Sequence, residues 1–278
     1  VSPMRRAALI WAAALALTVG GGVIAKLLLP DASGTIRALL VTQLLFVAIL
    51  IARARWWTWA EVGVNRPRTW RRLHLLVLPA ILAVSPLALG VEPTPAGTVA
   101  LLAIGYALTG FNEEVLWRGM VQGVLAPTGV VRSVVVAAAL FGSAHLANVL
   151  FRDSVGLVLA QAWGAFCFGL AYGALRNRIN TVVPLMVLHA VTDGVVMGVV
   201  DGGVVAADLI LHQAVEVMVN RRVHIGTGAV DHIIPFATLD FFRSPDVGSL
   251  VAVQRQIICR ICKEFSEGLS GNLDTDLP

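Results

Sequence analysis

Charge is scarce in this sequence. Charged residues make up 14% of the 278 residues, whereas a typical soluble domain contains about 25%. Hydrophobic residues make up 57% before glycine is counted, and the mean hydropathy is +0.80. This composition excludes a soluble globular domain and a disordered chain, and it indicates a helical protein that crosses the membrane several times.

Cysteine is also rare, and the sequence lacks the His-Glu-x-x-His motif of soluble zinc peptidases. The three cysteines, Cys167, Cys259 and Cys262, are too few for a disulfide framework. The Cys-x-x-Cys pair at 259–262 has no second pair with which to complete a zinc site. These absences exclude a small disulfide-stabilised scaffold and a zinc ribbon.

Long apolar runs dominate the chain instead. The runs that reach, or nearly reach, the length needed to cross a hydrocarbon core of roughly 30 Å cover about residues 7–29, 36–52, 73–91, 97–126, 133–151, 155–175 and 179–200. The first exceeds the roughly 15 residues of a signal-peptide core, so it predicts a membrane span. We therefore expect an all-α, polytopic transmembrane helical bundle of about seven to eight membrane helices, with an irregular C-terminal tail.

The distribution of basic residues predicts the orientation of this bundle. With the N-terminus in the cytoplasm, twelve arginines fall in inside segments and three basic residues in outside segments. That bias follows the positive-inside rule, so we expect a multi-pass protein of the cell membrane with a cytoplasmic N-terminus. The sequence pI of about 9.4 is then a signal of topology, and no nucleic-acid partner is expected.

Two further stretches have a distinct composition. Between Arg53 and Trp70, four tryptophans lie among arginines, which predicts an amphipathic helix on the inner membrane surface; the alternative is a substrate-docking ledge. Residues 205–278 lose the long apolar runs and carry a net negative charge. There we expect a weak amphipathic helix, or alternatively a metal-binding stripe, on the face shared by Asp208, His212 and Glu216, followed by a polar tail of unknown role.

Ionisable residues inside apolar spans are costly and therefore point to function. In the segment Glu113-Glu114-Val115-Leu116-Trp117-Arg118, the spacing of Glu114 and Arg118 predicts an ion pair on one helix face. Glu113 is rotated from that pair by about 100°, so we expect it to be left free to act as a general base or acid. The alternative, a purely structural Glu–Arg pair, does not account for Glu113.

Two histidines lie in other spans. Phe141 and His145 are four residues apart, so the ring is expected to pack on the imidazole, and His189 and Asp193 share a face in the same way. Measured from the predicted inner helix ends, Glu113, His145 and His189 lie at depths of roughly 20, 21 and 15 Å. This similarity predicts that the three side chains converge on one buried cavity.

Such a set of residues activates water in one of two ways. In the first, His145, His189 and a carboxylate, either Asp193 or Glu113, hold a divalent metal such as Zn²⁺, which leaves one position for water. In the second, Glu113 takes the proton from water and a histidine stabilises the oxyanion without a metal. The residues alone leave both versions open.

The three motifs together resemble a known family. Glu-Glu-x-x-x-Arg at 113–118, Phe-x-x-x-His at 141–145 and His-x-x-x-Asp at 189–193 resemble, in this order, the CPBP (CAAX-protease and bacteriocin-processing, or Abi) family of intramembrane endopeptidases. The resemblance implies water activation by Glu113, with Glu114 and Arg118 in the same motif. It assigns metal binding or transition-state stabilisation to His145, His189 and Asp193.

The resemblance yields a functional prediction. We expect N-terminal membrane helices over 1–54, a CPBP-like intramembrane protease core over 55–204 and the tail over 205–278. The expected activity is that of a CAAX prenyl protease-like intramembrane metalloendopeptidase, with membrane lipid and a membrane-bound peptide or protein substrate as partners. The alternative is a non-enzymatic module, either a carrier coupled to protons or cations or an adaptor with an inactive site.

Overall fold

The computed structural model of the chain describes residues 1–85, 87, 95–150 and 155–198, which all belong to one compact unit, Val1–Val204. This part is helical and contains no β-strand. Three 3₁₀ segments (Trp70–Leu76, Ala126–Thr128, His145–Leu150) and a π-helical segment (Glu114–Val121) interrupt the α-helices. The α-helices are α1 (Pro3–Leu28), α2 (Gly34–Trp56), α3 (Val77–Val84), α4 (Ala96–Glu113), α5 (Gln122–Leu125), α6 (Val130–Ala144), α7 (Val155–Ile179) and α8 (Val183–Gly198).

The predicted helical membrane bundle is confirmed. Within the described residues, five stretches are long and apolar enough to cross a membrane: Pro3–Leu28, Ile36–Trp56, Ala96–Thr128, Val130–Val149 and Val158–Ile179. They correspond to five of the seven apolar runs in the sequence. The predicted eighth span and the tail over 205–278 lie outside the described residues.

The other two apolar runs form shorter helices. The described part of run 73–91 is split between a 3₁₀ segment and the eight-residue α3. The run at 179–200 forms α8, whose 16 residues correspond to about 24 Å of helix. Asn180 adopts a left-handed conformation (φ 58°) and ends α7, so α8 begins only at Val183.

The segment rich in tryptophan and arginine is not the amphipathic helix that the sequence predicts. Residues 57–69 form turns, and Gly63 takes a positive φ of 79°, a conformation that interrupts a helix. The segment instead docks on the α7–α8 connection. Val182 N donates to Gly63 O (2.9 Å), and Thr181 Oγ1 donates to Asn65 O (2.8 Å).

Glycines bring the helices that frame the site close together. A Cβ on Gly110 of α4 would lie 2.6 Å from the carbonyl oxygen of Met186 in α8, and one on Gly142 of α6 would lie 2.8 Å from that of Ala162 in α7. Both glycines thus allow close approach of neighbouring helices. The contact at Gly110, one turn before Glu113, places the end of α4 against the part of α8 that carries His189.

Gly142→Ala is expected to destabilise the protein by about 1–3 kcal/mol, because the added methyl group meets backbone on α7. The matched control is Gly20→Ala, since nothing lies within 4 Å of a Cβ at Gly20, and alanine is the better helix former by about 1 kcal/mol. Thermal unfolding in detergent should therefore shift in opposite directions for the two variants. Equal shifts would contradict the close packing of α6 on α7.

Candidate active site

Two adjacent glutamates occupy different environments where α4 meets the π-helical segment. The Glu114 side chain is fully buried (0% exposed), whereas that of Glu113 is 22% exposed. Every residue of the π-helical segment is buried. The π-helical turn is rare and often occurs at functional sites. Of the two carboxylates, that of Glu113 is the one that is partly exposed.

The ion pair predicted between Glu114 and Arg118 is present. Arg118 Nη1 donates to Glu114 Oε1 over 3.0 Å, and both side chains are buried. The guanidinium carbon of Arg118 also lies over three aromatic rings, at 4.5 Å from the centroid of Phe141, 5.3 Å from that of Phe168 and 5.7 Å from that of Tyr172. Desolvated cation–π contacts of this kind stabilise a buried charge.

His189 of α8 joins both glutamates. Its Nδ1 lies 2.8 Å from Glu114 Oε1, while its Nε2 lies 3.4 Å from Glu113 Oε2 and 3.7 Å from Asp193 Oδ2. A carboxylate only accepts hydrogen bonds, so Nδ1 carries the proton donated to Glu114. The prediction that Glu113 is left free is wrong, because α8 brings His189 against it.

Two aromatic residues of α7 complete the surroundings of His189, and sequence reasoning missed both. The His189 ring packs edge-on against Phe168, with centroids 4.7 Å apart, and Tyr172 lies at 6.3 Å. Phe168 and Tyr172 stack on each other at 3.8 Å. Their spacing of four residues in an apolar span was the available signal, but ordinary core or lipid-facing aromatics have the same spacing.

His145 is connected to this cluster through Phe141. The Phe141 ring packs on the imidazole as predicted, with centroids 4.8 Å apart, and the same ring also contacts Arg118. His145 Nδ1 lies 3.0 Å from the carbonyl oxygen of Phe141. The expected convergence therefore holds directly for Glu113 and His189, whereas His145 reaches the cluster through an intervening ring.

The predicted metal-ligand set of His145, His189, Asp193 and Glu113 stays a prediction. Among the residues that the structure describes, no three His, Cys, Asp or Glu side chains are placed to hold a metal ion together. His145 is set apart by its packing on Phe141, whereas His189 keeps its Nε2 towards Glu113 and Asp193.

Comparison with known proteins gives one family match. The model of the Rce1-like family, described as type II CAAX prenyl endopeptidase Rce1-like, matches residues 95–195. No curated protein matches the chain. The matched segment begins next to the first residue of α4 and ends within α8, so it contains all three sequence motifs.

Proposed function

We propose that this chain hydrolyses peptide bonds of membrane-associated substrates with water activated by Glu113, because residues 95–195 match the model of the type II CAAX prenyl endopeptidase Rce1-like family. The family match confirms the predicted resemblance and supports a membrane-embedded peptidase. One observation carries the finer proposal. The accessible carboxylate of Glu113 lies beside a histidine whose other ring nitrogen is held by the buried Glu114.

Glu113 is the general base of the proposed reaction. Its carboxylate takes a proton from water, and the hydroxide forms a bond to the carbon of the scissile carbonyl. When the tetrahedral intermediate collapses, the C–N bond breaks and the protonated Glu113 gives its proton to the departing amine. Glu114 does not serve this role, because it is fully buried and its Oε1 accepts from both Arg118 and His189.

His189 is the group that faces the negative charge that develops on the carbonyl oxygen of the scissile peptide bond. Since its Nδ1–H is donated to Glu114, its Nε2 is directed towards Glu113 and Asp193. In the imidazolium form, Nε2–H donates to the oxyanion of the tetrahedral intermediate. Glu114 and Arg118 act as positioning residues, because they fix the orientation of the ring that makes this contact.

His145 is proposed as a second polar group at the substrate. Its Nδ1 donates to the carbonyl oxygen of Phe141, so the neutral ring presents Nε2 as the nitrogen that accepts a proton. In this position it assists proton transfer during the hydrolysis. We propose a CAAX-type substrate, a peptide that is held at the membrane by a prenyl group, because the matched family is named for that activity.

A cleavage assay with a chelator arm tests the proposal. The purified chain in liposomes is incubated with matched prenylated and unprenylated peptides, before and after treatment with a zinc chelator, and products are identified by mass spectrometry. We expect cleavage of prenylated peptides with a rate that the chelator does not change. Loss of activity that added Zn²⁺ restores would contradict the metal-free assignment, and absence of cleavage with every peptide would favour a non-enzymatic membrane module.

A further inference from the structure

Five exposed arginines gather at the end of the bundle where α7 terminates. Four of them lie in the segment that follows α2, and the fifth lies in the last turn of α7. We call this group the arginine platform: Arg66, Arg68, Arg71, Arg72 and Arg178. It is distinct from the candidate active site, in which Arg118 is the buried cation.

Hydrogen bonds hold the platform together across a long stretch of sequence. The backbone N–H of Arg68 donates to Ile179 O (3.3 Å), and Arg72 Nη1 donates to Arg178 O (2.9 Å). The segment after α2 is therefore fixed on the end of α7. The positive charges are thus concentrated by the fold on one surface.

Few negative charges oppose this concentration. Glu61 is the one acidic residue between positions 53 and 76 of the sequence. Its carboxylate accepts hydrogen bonds from the backbone N–H (2.6 Å) and the hydroxyl (2.8 Å) of Thr58. Those bonds lower the pKa of Glu61, the backbone bond most strongly, and they hold its carboxylate at Thr58.

The place of the platform in the bundle indicates its partner. Arg178 lies in the last turn of the apolar stretch Val158–Ile179, and the end of such a stretch is where phospholipid headgroups are expected. Trp70 lies between Arg68 and Arg71 in sequence and is 71% exposed. Tryptophan favours the headgroup region, and arginine pairs with phosphate through its fork of N–H donors.

We propose that the arginine platform binds the headgroups of anionic phospholipids and enriches them around the protein. The dense positive charge supplies the attraction, and the exposed Trp70 places the segment at the headgroup level. An acidic peptide would satisfy the charges but would make no use of a tryptophan at the membrane interface.

The segment that carries the platform also contacts the two helical segments in which Glu113 and Glu114 lie. Trp59 packs edge-on against Phe111 of α4, with centroids 6.3 Å apart. Gly119 of the π-helical segment approaches Val62 so closely that a Cβ there would lie 2.6 Å from Val62 O. Bound anionic lipid would therefore hold the loop against which Glu113 and Glu114 are supported.

Lipid enrichment can be measured without any cleavage assay. The full chain is reconstituted into phosphatidylcholine vesicles that contain a small fraction of dansyl-labelled phosphatidylglycerol or dansyl-labelled phosphatidylcholine, and energy transfer from tryptophan is recorded. Wild type is expected to give stronger transfer to the labelled phosphatidylglycerol. The test variant is Arg66→Gln/Arg71→Gln, and the matched control is Lys26→Gln/Arg37→Gln, which removes two charges at the connection between α1 and α2.

The outcomes separate the alternatives. Each neutralised platform arginine is expected to lower the preference for the anionic lipid about fivefold, and high salt should weaken the preference in wild type. Free inorganic phosphate at millimolar concentration should leave it unchanged. The proposal would be overturned if wild type and the platform variant showed the same preference for the anionic lipid. It would also be overturned if the Lys26→Gln/Arg37→Gln control lost that preference to the same extent as the platform variant. Binding of a polyglutamate peptide without any lipid preference would likewise overturn it.

Discussion

Glu113→Gln is expected to lower kcat/KM for peptide cleavage by about 10²–10⁴-fold, the usual contribution of a general base. Glutamine preserves the size of the side chain but takes no proton from water. Its effect on stability should be small, since Glu113 is 22% exposed and lies 3.4 Å from the nearest His189 nitrogen. Initial rates on a prenylated peptide in liposomes, together with thermal unfolding, measure both quantities.

Two further glutamate-to-glutamine substitutions serve as controls for the effect of Glu113→Gln on activity. Glu61→Gln makes the same chemical change at an exposed carboxylate bonded to Thr58, outside the active site, and should retain full activity. Glu114→Gln should reduce both activity and stability, because it weakens the partner of Arg118 and His189. Cleavage by Glu113→Gln at the wild-type rate would remove Glu113 from the role of base.

The sequence predicted those parts of the site that depend on one helix. The Glu114–Arg118 ion pair and the packing of Phe141 on His145 join residues four apart, and helical geometry alone brings such residues together. The contacts of His189 with both glutamates and with Phe168 depend on how α4, α7 and α8 pack. Spacing along a chain contains no information about that packing.

The same distinction applies to the fold. Hydropathy identified the membrane-spanning helices, because their length and composition are local properties. It did not predict the π-helical turn at Glu114–Val121 or the docking of residues 57–69 on the α7–α8 connection. The docked segment contains the left-handed Gly63, and it forms hydrogen bonds with residues more than a hundred positions away. The pattern of tryptophan and arginine does not indicate either feature, so the predicted amphipathic helix was wrong.

Arg118→Met is expected to lower the free energy of unfolding by about 3–5 kcal/mol, because it leaves the buried carboxylate of Glu114 without its cation. It also removes the contacts of the guanidinium with the Phe141, Phe168 and Tyr172 rings. Without Arg118, Glu114 retains the hydrogen bond from His189, and the orientation of that ring is less well fixed. The variant should therefore lose activity as well as stability, which unfolding in mixed micelles and cleavage rates would record.

A double-mutant cycle separates the ion pair from the ring contacts. In Glu114→Gln/Arg118→Met the buried charge is absent, so the loss of stability should be smaller than the sum of the two single losses. Arg118→Lys keeps the charge but lacks the planar group that lies over three rings, and it should fall between wild type and Arg118→Met. The exposed Arg132→Met should change stability by less than about 0.5 kcal/mol. Additive losses in the cycle would mean that Arg118 stabilises the bundle through the aromatic rings and that Glu114 is positioned without it.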